Sequence, residues 1–130
     1  MTTIPVQTRR HAEFVDITRQ IQEAVRKAGL RDGVVRAHVP HTTAGITINE
    51  NADPDVVTDM LAALDRMVPW SAGYRHAEGN AAAHVKASLM GFSVAIPVED
   101  GRLRLGTWQA VYFCEFDGPR NRSVWLTIRP

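Results

Sequence analysis

The chain has 130 residues, 45% of them hydrophobic, and a formal net charge of +1. That is one ordinary domain with enough apolar content for a packed core, and without a Lys/Arg run it presents no broad nucleic-acid or anionic-membrane surface. The lone cysteine, Cys114, excludes an internal disulfide framework; no apolar stretch approaches the ~20 residues of a membrane span, and the opening residues lack a signal-peptide pattern, so a reducing cytoplasm is the expected setting.

In chain order, residues from about 4 to 15 carry the β-formers Ile4, Val6, Thr8, Phe14 and Val15 and are expected to be extended. A helix follows: Ile17, Ile21, Ala24, Val25 and Ala28 recur at helical spacing, Asp16 or Thr18 can cap its start, and Gly29 stands where a C-terminal glycine belongs. From Val34 to Val39 the pattern alternates, with Val35, Ala37 and Val39 inward, and Gly45 to Asn49 reads as another strand with Ile46 and Ile48 inward. Asp53-Pro54 opens a second helix whose apolar face is Val56, Val57, Met60, Leu61, Leu64 and Met67, and Pro69 stops it. Asn80 reads as the N-cap of a short third helix closed by Gly91. Val94, Ile96 and Val98 mark a strand, Glu99-Asp100-Gly101 a hairpin turn, Leu103 to Phe116 a long strand, Asp117-Gly118-Pro119 a second turn and Ser123 to Ile128 a last strand. The expected fold is a single α+β domain over residues 1–130. It is a largely antiparallel or mixed sheet sandwich with two main helices and one short one, ending in a β-meander.

The long strand is apolar on both parities: Trp108, Ala110, Tyr112, Cys114 and Phe116 on one face, Val111 and Phe113 on the other. Such a strand is covered on both sides. In that setting Cys114 reads as a buried structural thiol, with a nucleophile as the alternative. Gln109 and Glu115 share the Val111 face; either they lie at a wet strand end or they line a polar pocket or subunit seam.

The chemistry-bearing residues sit in loops. His11 and His38 read as surface residues beside charged neighbours, whereas His41, His76 and His84 lie on no apolar stripe and adjoin small or amide residues. Three neutral imidazoles can bind Zn²⁺ or another divalent ion such as Mg²⁺ with a position left open; without metal they serve as hydrogen-bonding or acid–base groups. No organic cofactor is expected. The run Gly79-Asn80-Ala81-Ala82-Ala83-His84 reads either as a helix N-terminus offering free N–H groups to a phosphate or as a plain asparagine cap. Glu50, in Asn49-Glu50-Asn51-Ala52-Asp53, is a candidate base beside a candidate binding amide, Asn51, unless the segment is a solvated turn. Arg120 and Arg122 flank the second turn and can clamp phosphate, with a solvated turn as the alternative, above all for Arg122.

Together Pro40-His41-Thr42-Thr43-Ala44-Gly45, Asn49-Glu50-Asn51-Ala52-Asp53, Gly79-Asn80…His84 and Gly106-Thr107-Trp108-Gln109 resemble the YjbQ-type family, also called the secondary thiamine-phosphate synthase family. The resemblance runs from about Pro40 to Ile128. It implies a compact α+β domain that forms homotrimers, with a polar pocket near the subunit boundary. It also implies a weak transferase activity joining a pyrimidine pyrophosphate to a thiazole phosphate. On that basis His84, Glu50 and His41 are the expected catalytic residues. Asn51, Asn80, Trp108, Gln109 and Arg120 are expected to bind a small phosphorylated metabolite, and His41, His76 and His84 to hold any metal. The competing expectation is a metal- or small-anion-binding module without turnover.

Overall fold

One strand buried on both faces organises the architecture. The computed structural model describes all of residues 1–130, in the order β1 (Thr2–Gln7), β2 (Glu13–Asp16), α1 (Thr18–Ala28), β3 (Gly33–His38), β4 (Ala44–Glu50), α2 (Pro54–Met67), α3 (Ala81–Met90), β5 (Ser93–Glu99), β6 (Arg102–Leu103), β7 (Gln109–Glu115) and β8 (Asn121–Arg129). β7 is the central strand of a three-stranded sheet, β2-β7-β4, and a five-stranded sheet, β1-β8-β3-β5-β6, packs against it; every pairing is antiparallel.

Alternation decides which side chains go where. Val111 and Phe113 face the large sheet and join the main core with Ile46, Val35, Ile96, Val124 and Leu126, to which α1 adds Ile21 and Val25. Ala110, Tyr112, Cys114 and Phe116 face the other way, onto Ala83 and Ala87 of α3 and Leu64 of α2. The result is three layers: the large sheet, the small sheet with α1, and the pair α2–α3. Burial pushes the Cys114 thiol far up in pKa, which leaves it a packing group.

Helix boundaries follow their local signals. Gly29 ends α1 in the left-handed region (φ 69°), and Asp16 accepts from the Thr18 N–H. The Thr18 hydroxyl instead accepts from the Val111 N–H at 2.8 Å, which ties α1 to β7. Asp53 caps α2 by accepting from the Asp55 N–H, with Pro54 at the first helical position. The Asp100-Gly101 turn has positive φ at both residues, as a primed hairpin turn requires.

Several details of the expected layout need correction. The extended stretch from 4 to 15 divides at residues 8–12, because β1 belongs to the large sheet and β2 to the small one. The long strand from Leu103 divides for the same reason: β6 stays in the large sheet and β7 crosses to the small one. The chain does close on strands, but after the β5–β6 hairpin they alternate between sheets instead of continuing as a meander. Asn80 occupies the N-cap position of α3, yet its side chain makes no capping bond.

Candidate functional site

The Asp117-Gly118-Pro119 turn joins β7 to β8 and so sends consecutive strands into opposite sheets. Glu115 at the end of β7 and Arg122 at the start of β8 therefore face each other across the space between the sheets. They are 0% and 7% exposed. Arg122 Nε donates to Glu115 Oε1 at 2.8 Å, while Nη2 donates to Oε2 and to the Thr43 hydroxyl. Glu115 also accepts from the Thr8 hydroxyl and from the N–H groups of Phe116 and Asp117. Burial pushes the Glu115 carboxyl up, but Arg122, the Asp117 N–H and Thr8 outweigh it and hold the group below its ordinary pKa. Nη1 of Arg122 has no partner within the chain and is not sealed from solvent. It is the end left for the pocket that Arg122 lines.

That pocket, of ≈ 440 Å³, has no hydrophobic residue in its wall. It gathers His41, Thr42 and Thr43 from the loop before β4, His76, Glu78, Asn80 and His84 from the loop and first turns of α3, and Arg120 and Arg122 from around the second turn. α3 is held there by close packing on β4. Gly45 lets the backbone of α3 approach, since a Cβ at that position would meet the Gly91 carbonyl at 2.8 Å and Met90 Cβ at 2.9 Å.

His41 Nε2 accepts from the Ser123 N–H at 2.9 Å, so the imidazole is neutral with its proton on Nδ1. Burial, then the charge of Arg122, lower its pKa, against a weaker pull from Glu115. His76 and His84 stand edge to face with ring centroids 5.3 Å apart. Asp117 organises the rim. Its Oδ2 accepts from Asn80 Nδ2 and Arg120 Nη2, both at 2.9 Å, and His11 Nε2 lies 3.8 Å from Oδ1. Burial raises the Asp117 carboxyl, and Asn80 and Arg120 more than reverse that, so it is held low.

The structure thus brings five of the expected residues together: His41, His76, His84, Asn80 and Arg120 line one pocket. It does not bring Glu50, Asn51, Trp108 and Gln109 there. Glu50 pairs with Gln109 at one end of the β4–β7 ladder and Ala44 pairs with Glu115 at the other, a separation of roughly 20 Å at strand rise. At that far end Asn51 N–H donates to the Trp108 carbonyl, and Gln109 Oε1 accepts from the Gly106 N–H to close its own turn. The three-imidazole metal set is not assembled either. His41 has its Nε2 engaged, and no three His, Cys, Asp or Glu side chains stand where they could hold a metal ion.

Sequence reasoning left Arg122 between a phosphate clamp and a solvated turn, and Glu115 between a wet strand end and a polar pocket; it missed that the two are buried partners, and it missed Glu78 at the pocket and His11 beside Asp117. A usable signal existed for the pair: Glu115 shares the inward parity of Val111 and Phe113, and Arg122 that of Val124 and Leu126, on strands joined by a tight turn.

Fold and site define a class: a small α+β protein with two packed antiparallel sheets and one polar pocket rich in histidine and arginine. The chain belongs to the UPF0047 family of YjbQ-like proteins, whose model matches residues 2–130. It is 50% identical to the UPF0047 protein YugU of Bacillus subtilis over 98% of both chains, and 47% identical to UPF0047 protein MJ1081 of Methanocaldococcus jannaschii over 95% of this chain and 89% of that one. Among solved structures, a YjbQ/UPF0047-family protein of Clostridium acetobutylicum superposes with a TM-score of 0.97 at 51% identity, over 99% of this chain and 100% of that one. The conserved hypothetical protein TT1486 of Thermus thermophilus gives 0.93 at 42% identity, over 99% and 100%.

Proposed function

We propose that this protein is a cytoplasmic, homotrimeric transferase of the thiamine-phosphate synthase type, acting on phosphorylated small molecules in the histidine pocket. The observation that carries the reading is Arg122: a buried guanidinium, fixed by Glu115 and Thr43, with Nη1 left over at a pocket of polar residues. Burying a charge in this way is costly, and the free donor end is suited to an anionic oxygen. Arg120 and the first N–H groups of α3 add to the same positive end. When a pyrophosphate leaves, charge builds on its oxygens, and preorganised donors of this kind stabilise it. Because the donor set does not fit a three-ligand metal site, the reading routes no step through a metal. Proton movement falls to His84 or His76, with Glu78 as the carboxylate at hand; His41 serves as a fixed Nδ1–H donor. Glu50, Asn51, Trp108 and Gln109 enter the reaction only if copies of the chain pack so that one copy's far end reaches another's pocket.

Binding without turnover is the second reading, and one observation favours it. The rigidly held polar groups of the pocket, Arg122, His41 and Asn80, are binding groups, whereas Glu78 and His76 sit on the exposed loop before α3. The deciding experiment supplies a pyrimidine pyrophosphate and a thiazole phosphate and follows the joined product. The transferase reading expects turnover that falls by about 10²-fold or more in His84→Gln. Phosphate binding with no product from the unaltered protein replaces it by the binding module.

A further inference from the structure

The outer face of the large sheet is bare, and its charge is unbalanced. Alternation turns Arg36 and His38 of β3, Ala95 of β5, and Trp125, Thr127 and Arg129 of β8 to this side, because Val35, Ala37, Ile96, Val124 and Leu126 fill the core. Pairing of β3 with β8 sets His38 opposite Trp125, Arg36 opposite Thr127 and Val34 opposite Arg129. No Lys/Arg run announces the two arginines; the sheet brings them together. Both are exposed, and neither lies within ion-pair distance of a carboxylate. Glu99, the carboxylate that alternation puts on this face, stands 3.7 Å from Arg104 instead. Beside the arginines Trp125, 41% exposed, lies near parallel to His38, with ring centroids 5.8 Å apart and 27° between the planes. On its other side Trp125 is in register with Thr3 of β1, which is too short to cover an indole.

An aromatic surface beside two unpaired guanidiniums matches planar bases joined by phosphates. We propose that this face is a narrow track for single-stranded nucleic acid, with a base stacked on Trp125 and backbone phosphates on Arg36 and Arg129. The arginines stand one and two pleat repeats along the strands from the Trp125–His38 row, about 7 and 14 Å away, so one short strand reaches all three. Thr127 and Ala95 on either side of Arg36 are small and leave the track open. A duplex does not fit, since its bases are already stacked on one another. Free phosphate has no base to stack, and exposed arginines alone hold it weakly. A lipid surface asks for several protruding apolar side chains, and on this face the large exposed ones are Val34 and Trp125. A second copy laid face to face would set arginine against arginine.

Fluorescence anisotropy tests this with labelled oligothymidylate and oligouridylate of about eight nucleotides, a common site size for one single-strand groove. An abasic deoxyribose-phosphate strand of the same length is the comparison. The proposal expects at least one homopolymer to bind, and the tighter of the two identifies the sugar. It expects the abasic strand, which keeps the charge and lacks the bases, to bind about fivefold or more weakly. Trp125→Ala should cost the unaltered protein a similar factor, and Trp125→Phe should restore most of it. Arg36→Gln and Arg129→Gln should each lower the slope of log affinity against log salt by about 0.7. No binding of either homopolymer overturns the inference. Equal affinity for the abasic strand overturns it too, as does binding that Trp125→Ala and both arginine variants leave unchanged. Without oligonucleotide binding, retention on phosphatidylglycerol vesicles assigns the face to a lipid surface, and a lighter particle in Trp125→Glu assigns it to a second copy; either result overturns the proposal. The abasic comparison needs no variant, so it decides even if a Trp125 variant does not fold.

Discussion

Arg122 and Glu115 concentrate the energetic risk of this fold in two side chains. Removing one member of a buried, hydrogen-bonded pair leaves the other charge stranded, at about 3–5 kcal/mol. Glu115→Ala is accordingly expected to lower unfolding free energy by that order in urea titration, because Arg122 would stay 93% buried without its carboxylate. His41 sets a second residue-level prediction. Its folded pKa lies below the ordinary 6.5, so the unfolded chain takes up protons first as pH falls. The stability tied to neutral His41 is therefore full above about 6.5 and declines on acidification below it, ahead of the carboxylates. Urea midpoints measured from pH 8 to 5 should show this decline, and His41→Asn should reduce it. Much of the pocket was legible at this scale: His41, His76, His84 and Asn80 stood out because loop residues without an apolar stripe have no packing reason to be there. Arg122 and Glu115 were each singled out only beside a solvated alternative; parity put both inward, but their pairing depends on two strands entering different sheets, which neither strand's pattern states alone.

At the scale of elements, α3 delivers Asn80 and His84 only because it lies tight on β4 over Gly45. Gly45→Ala forces a Cβ into the Gly91 carbonyl and Met90. Overpacking of this kind costs about 1–3 kcal/mol. We expect a loss of that order in thermal or urea unfolding, together with weakened phosphate binding as α3 shifts outward. Helices and strands were readable from period and punctuation: the inward sets Val35, Ala37, Val39 and Val111, Phe113 are those that alternation assigns. The breaks at residues 8–12 and 104–108 were not readable. Leu103 and Leu105 continue the alternation through the second break while the chain changes sheet, and Gln109, which begins β7 and closes that turn on Gly106 with its side chain, looks from the sequence like the middle of one long strand.

At the scale of the molecule, the residues that resemble the family motif form two clusters at opposite ends of the β4–β7 ladder, and the one with His41, His76, His84 and Asn80 lines the polar pocket. Tyr112 and Phe116 are buried, while Trp108 and Trp125 remain 61% and 41% exposed. The large sheet's outer face carries Trp125 stacked on His38. The trimer reading expects light scattering at micromolar concentration to return the mass of three chains, and Trp108→Glu or Trp125→Glu to reduce it; a single-chain mass for the unaltered protein removes the trimer. The central claim, that the histidine pocket receives phosphate, is tested most directly by following the histidine ring-proton resonances while inorganic phosphate is added. The account predicts that the signals of His41, His76 and His84 move together along one saturating curve while His38, on the outer face of the large sheet, stays still. Signals that do not move, or movement confined to His38, would contradict it.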